Sequence, residues 1–192
     1  DATHLERLGA DPRHRPLVGD GRKHLLVSEQ TYDLIVPDTM RTTSAGSGSL
    51  YSREYFELMS RQLSDDGLVA IWQASNRVLN AASTTFPHVV SIEVASYSNS
   101  RFLLASRSPI ELDTATLLER FDEIPEDAFD PGQRFTLRLL LENLPVECIN
   151  DGALATDPLP HTENRDMHPR DEYFLSNDGV GDDGVVRTCK EP

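Results

Sequence analysis

The chain has 192 residues, 38% of them hydrophobic, a formal net charge of −14 and only two lysines, Lys23 and Lys190. That length fits one domain, or one domain with a tail. The acidic, lysine-poor surface argues against nucleic-acid or anionic-membrane binding, because phosphate attraction needs a basic face. No apolar run approaches the roughly 20 residues that span a bilayer, and the first residues are polar and charged, so no signal peptide is expected. Two cysteines, Cys148 and Cys189, make neither a disulfide framework nor a metal site, so a reduced, cytoplasmic context is expected.

Asp1 to Ala10 reads as the end of a helix, with Leu5 and Leu8 on one face and Gly9 as cap. Pro16-Leu17-Val18 is a short strand candidate. Gly19-Asp20-Gly21 forms a turn at its end, and Arg22 to Ser28 a short helix with Leu25 and Leu26 inward. Tyr32 to Val36 is apolar apart from Asp33, which predicts a strand buried on both faces of a parallel sheet. It ends at Asp38, and a Gly/Ser-rich loop runs from Thr39 to Ser49.

Ser52 is an N-cap, with Glu54 in the first turn and Tyr55, Phe56, Met59 and Leu63 at helical spacing. Asp65-Asp66-Gly67 reads as a turn, and Leu68 to Trp72 as a buried strand. A weaker helix is expected over Asn76 to Phe86. Val89 to Tyr97 and Phe102 to Ser106 flank Ser98-Asn99-Ser100, which predicts a hairpin at the sheet edge. Helices follow at Asp113 to Phe121 and Pro131 to Leu144, the second with Phe135, Leu139 and Leu140 on its apolar side. Beyond Pro145 the chain reads as mostly irregular, with an α/β domain over 1–176 and a disordered tail over 177–192. Strand, loop, helix, strand is the grammar of an open α/β sheet, whose ligands lie beyond the carboxyl ends of the strands. Asp20 and Asp38 both stand at such ends.

Three stretches carry a resemblance: Gly19-Asp20-Gly21-Arg22, then Tyr32-Asp33-Leu34-Ile35-Val36-Pro37-Asp38, then Leu50-Tyr51-Ser52-Arg53-Glu54-Tyr55-Phe56. Together they resemble the spermidine synthase family, and most nearly its branch fused to transporter-like membrane segments. Asn164-Arg165-Asp166-Met167-His168-Pro169-Arg170-Asp171-Glu172-Tyr173-Phe174 is similar to that branch's carboxyl-terminal signature. The resemblance implies a class I methyltransferase-like, Rossmann-like sheet with a terminal antiparallel hairpin. It implies transfer of an aminopropyl group from decarboxylated S-adenosylmethionine, a co-substrate rather than a resident cofactor, to a small-molecule amine.

It also assigns residues. Asp20 and Gly21 match the pair at the adenine, where a carboxylate accepts from the exocyclic amino group and a small neighbour lets the ring approach. Read without the family, Asp-Gly is a common turn pair. Asp38 matches the first aspartate of the family's Asp-Ser-Ser-Asp-Pro run and could hold a substrate ammonium; its other reading is an Asx-type turn or cap. Thr39, Arg41 and Tyr51 fall in or beside the loop that gates the family's site.

Two departures bear on function. Arg41 occupies the place of the family's second aspartate; an arginine stays protonated, cannot act as base and repels a polyamine. The family's glycine-rich cofactor loop matches nothing here, so the α/β domain is expected to be incomplete at its amino-terminal side. The alternative to an enzyme is then a non-catalytic nucleoside-binding remnant, or a subunit of a split or truncated protein. A homodimer, or pairing with a missing amino-terminal half, is the expected partner. His161 and His168, with Asp157, Glu163 and Asp166 nearby, fit no zinc pattern, and no metal is expected.

Overall fold

The computed structural model describes residues 9–39, 44, 46–94, 100–156, 163–167, 169, 171 and 188–189. Among them are helices α1 (Gly21–Val27), α2 (Arg53–Gln62), α3 (Asn76–Ser83), α4 (Thr114–Asp122) and α5 (Pro131–Glu142). The strands are β1 (Tyr32–Ile35), β2 (Leu63–Trp72), β3 (His88–Val94), β4 (Ser100–Ser106) and β5 (Val146–Asp151), in sheet order β1-β2-β4-β3-β5. β1 and β2 are parallel, with α2 as their crossover, while β2–β4, β3–β4 and β3–β5 are antiparallel. The architecture is therefore α/β with the expected antiparallel hairpin. Its tip falls in 95–99, outside the described residues, and Ser100 already belongs to β4.

Helices start where caps place them. Asp20, Ser52, Ser75, Asp113 and Asp130 accept from backbone N–H groups of the first turns of α1 to α5. Tyr55, Phe56 and Met59 of α2 and Val78, Leu79 and Ala82 of α3 then pack on Val69, Ile71, Leu103 and Ala105 of the sheet. Phe56 meets Phe86 edge-on at 6.5 Å.

Several expectations change. Pro16–Val18 is not a strand, and Leu17 and Val18 are exposed. In α1 only Leu25 is buried; Leu26 points outward. Asp65-Asp66-Gly67 is not a turn but the middle of β2, which begins at Leu63. Leu63 follows the last residue of α2 rather than extending it. The reason lies at Gly67: a Cβ there would lie 2.9 Å from the Tyr32 carbonyl oxygen, so glycine is kept for a close approach of β1 at its register shift. Helix α3 stops at Ser83, three residues before Phe86.

β1 and β2 are not buried on both faces. Val69 and Ile71 are buried, but Leu34 is 54% and Val36 62% exposed, Leu68 and Ala70 are half-buried and Trp72 is exposed. Pairing register puts Leu34, Leu68, Ala70, Trp72, Phe102 and Val146 on the face opposite the helices. The hairpin is not the sheet edge either, because β5 pairs with β3 in a stretch expected to be irregular. Phe135 and Leu139 of α5 are exposed, and α5 buries no residue fully.

The cysteines also differ from expectation. Cys148 of β5 is joined to Cys189 by a disulfide. The Thr188 N–H and the Cys189 N–H both donate to the Ile149 carbonyl, at 2.8 and 3.3 Å, so the two described residues of 177–192 lie along β5. No helix among the described residues is long and apolar enough to cross a membrane.

Candidate functional site

A cavity of about 500 Å³ opens beyond the carboxyl end of β1. Asp20, Gly21 and Arg22 at the start of α1 form one wall; Pro37, Asp38 and Thr39 form the second. Gly46, Ser49 and Leu50 close it from the loop side, and Tyr55 of α2 forms part of its floor. The N-cap of α1 and the segment that follows β1 thus bring Asp20 and Asp38 to one cavity.

Asp20 carries two duties. Its Oδ1 accepts from the Lys23 N–H at 2.9 Å and caps α1, which is the turn reading of the Asp-Gly pair. Asp20 is also among the residues that line the cavity. Beside it, a Cβ on Gly21 would meet no neighbouring atom within 4 Å among the described residues, so the space there is open. Asp38 is exposed at the rim.

Of the loop residues expected here, Thr39 lines the cavity, Tyr51 is fully buried and absent from the lining, and Arg41 lies outside the described residues. Burial raises the Tyr51 phenol above its ordinary value; the nearby Thr39 hydroxyl opposes that rise and the Asp38 charge adds to it. The Thr39 oxygen makes no well-directed hydrogen bond among the described residues, so it acts on Tyr51 by proximity. Tyr55 is raised by burial too, lowered by Arg22 and raised by Asp20. Both phenols stay neutral near neutral pH and cannot serve as bases.

The residues that sequence reasoning left out are Arg22, Tyr55 and Asp166. The Arg22 guanidinium lies over the Tyr55 ring, 5.6 Å from its centroid, and donates to the Ser49 carbonyl. It also meets Asp166 with both terminal nitrogens, at 2.8 and 2.5 Å. Arg22 stands inside a stretch that carried the resemblance, and Asp166 inside the carboxyl-terminal run; what pairs them is tertiary and has no local signal. The described residues of that run are themselves anchored. Arg53 N–H donates to the Asn164 carbonyl at 2.9 Å, Arg165 Nε to Glu54 at 2.9 Å, and Asn164 Nδ2 to Asp171 at 2.8 Å. Among the described residues no group of three or more His, Cys, Asp or Glu side chains is placed to hold a metal.

Residues 3–105 match the spermine/spermidine synthase domain family. The chain is 28% identical over 127 residues to a polyamine aminopropyltransferase of Korarchaeum cryptofilum, a match covering 59% of this chain and 39% of that protein. It is 32% identical over 92 residues to polyamine aminopropyltransferase 1 of Streptomyces coelicolor, covering 48% and 17%. The chain thus spans less than half the length of these curated relatives. Among solved structures, a spermidine synthase in complex with the transition-state analogue AdoDATO aligns with a TM-score of 0.49 at 18% identity, over 56% of this chain and 41% of that one. The spermidine synthase of Thermotoga maritima aligns at 0.45 and 16%, over 56% and 40%.

Proposed function

Because the chain belongs to the spermine/spermidine synthase family, we propose that its cavity binds the nucleoside of decarboxylated S-adenosylmethionine and presents it to an amine for aminopropyl transfer. One observation carries this reading: Asp20, Gly21 and Asp38, from separate segments, face one cavity of about 500 Å³, a volume that suits a nucleoside. Asp20 accepts from the exocyclic amino group of adenine over the open space at Gly21. Asp38 holds the amine at the rim. The amine lone pair attacks the aminopropyl carbon bound to the sulfonium, the carbon–sulfur bond breaks, and its electron pair stays on sulfur as neutral methylthioadenosine. The new ammonium then loses a proton to water. The described residues contribute mainly placement of the amine and an anionic anchor.

A second reading rests on Arg41, which stands where the family has a carboxylate. It makes the protein a nucleoside-binding module without transfer activity, able to act as one part of a larger assembly. Titration of the 192-residue chain with methylthioadenosine tests the binding claim. Weak binding, well short of micromolar affinity (about −8 kcal/mol), is expected, because Asp20 and Asp38 are both exposed and water competes for them. Asp20→Asn should abolish it. Binding unchanged by Asp20→Asn would remove the adenine assignment. Incubation with putrescine and the sulfonium donor then separates the readings: methylthioadenosine release marks the enzyme, binding without release the module.

A further inference from the structure

Arg22 and Asp166 stand 144 positions apart, and each comes from a stretch whose role the proposed reaction leaves open. Arg22 is a cation in the wall of a cavity whose other charged lining residues, among the described residues, are Asp20 and Asp38. A sulfonium donor and an amine acceptor both carry positive charge, so an uncompensated guanidinium there would work against them. The Asp166 carboxylate meets that guanidinium through two parallel hydrogen bonds, the geometry that arginine and carboxylate favour.

Asp166 is in turn fixed in place. It accepts from the Ser52 hydroxyl at 2.5 Å, and its own N–H donates to Glu54 at 3.0 Å. Arg22 also donates to the Ser49 carbonyl, at the end of the loop over the cavity. One carboxylate therefore ties together the start of α1, the end of that loop and the N-cap of α2.

We propose that Asp166 is a positioning residue that sets the charge of the cavity: it holds Arg22 in the wall and cancels its charge, which leaves Asp20 and Asp38 to favour a cationic ligand. This rests on the reading of the cavity as a sulfonium-nucleoside site. Without Asp166, Arg22 loses its bidentate partner, is held less firmly against Tyr55 and the Ser49 carbonyl, and turns an uncompensated charge on the site.

The test compares decarboxylated S-adenosylmethionine, a cation, with neutral methylthioadenosine, titrated by NMR into the wild-type chain and its variants. Asp166→Asn should lower affinity for the sulfonium roughly tenfold more than for the thioether, the size expected of one unit charge across a partly solvated cavity. Asp166→Glu should restore the wild-type ratio. The double variant Arg22→Gln, Asp166→Asn removes both charges together and should also keep it, which serves if the single Asn variant does not fold. Equal loss for both ligands, or a double variant that still rejects the sulfonium, overturns the proposal.

A wild-type chain that binds neither ligand defeats the substrate reading instead. Amide exchange then decides the positioning claim. Asp166→Asn should speed exchange at Gly21–Lys23 and Ser49–Leu50 while β2 and β4 stay protected. Unchanged local exchange overturns it.

Discussion

Arg77 and Asp171 are both buried, with side chains 9% and 7% exposed, and Arg77 Nη1 lies 2.6 Å from Asp171 Oδ1. Asp171 also accepts from Ser75, the cap of α3, and from Asn164. Removing one partner of such a pair leaves the other charge buried and costs about 3–5 kcal/mol. Asp171→Ala should therefore shift the urea midpoint far below wild type; a shift of a few tenths of a kcal/mol would show the pair to be solvated. Asp166 gives a pH signature. Burial raises its carboxyl, but hydrogen bonds from Arg22 and Ser52, with the charges of Arg22 and Arg165, more than reverse this and hold it below the usual carboxylate range. A group depressed in the folded state stabilises the fold above its unfolded pKa and loses that contribution as pH falls through its folded value. Thermal unfolding from pH 6 to 2 should show wild type losing stability below about pH 4 more steeply than Asp166→Asn. Parallel curves would mean that the ion pair adds nothing. At this scale the chain was only partly legible. Asp38 could be placed because it follows the end of β1, whereas Asp20 caps α1 with no strand before it, and Arg22 with Asp166 depends on a fold-back that no local pattern encodes.

Among the elements, all five described helices were expected, two of them with their caps at Ser52 and Asp113, while β2 and β5 show where local signals fail. Asp-Asp-Gly reads as a turn, yet Asp65, Asp66 and Gly67 lie within β2, in the extra residues where its register against β1 shifts. Gly67 is there because the Tyr32 carbonyl comes too close for a side chain. Gly67→Ala should shift the β1–β2 register or strain it, costing about 1–3 kcal/mol, and should move the Tyr32 and Leu63 amide resonances. Unmoved resonances with full stability would show that the strands part freely. β5 was missed because its alternation is broken: Ile149 and Asn150 are consecutive and both buried, where a register shift at Val89–Val90 lets one strand turn inward twice. Asn150 spends its amide on the Ser83 and Phe86 carbonyls, at 2.6 and 2.9 Å, so a buried polar residue serves here as a corner brace.

For the whole molecule, helices α1 to α3 cover one face of the sheet, and Leu34, Trp72, Phe102 and Val146 remain exposed on the other. Near-continuous apolarity in β1 and β2 had suggested burial on both faces; periodicity reports how apolar a strand is, not which elements cover it. Trp72 is the single tryptophan, so its fluorescence reads this face directly. At 39% exposure it should emit at long wavelength and be quenched readily by acrylamide. A blue-shifted, protected emission would show that something covers the sheet in solution. The Cys148–Cys189 bridge spans 41 positions. A loop of that size stabilises by about 4 kcal/mol through the unfolded chain. Cys148→Ser, or reduction, should lower unfolding free energy towards that amount, and no change would mean that the bridge does not form.

The same bridge makes the backbone between Cys148 and Cys189 a closed ring, and the residues that brace Arg22 ride on it. Leu154, half exposed, offers a protease a site within that ring. A single cut there would sever the backbone without releasing either piece. On a denaturing gel the nicked protein would run as one band, and only a reducing agent would reveal it as two. Inside the folded chain, Asp166 would stay within reach of Arg22 after the cut, tethered through sulfur where the peptide bond had been lost.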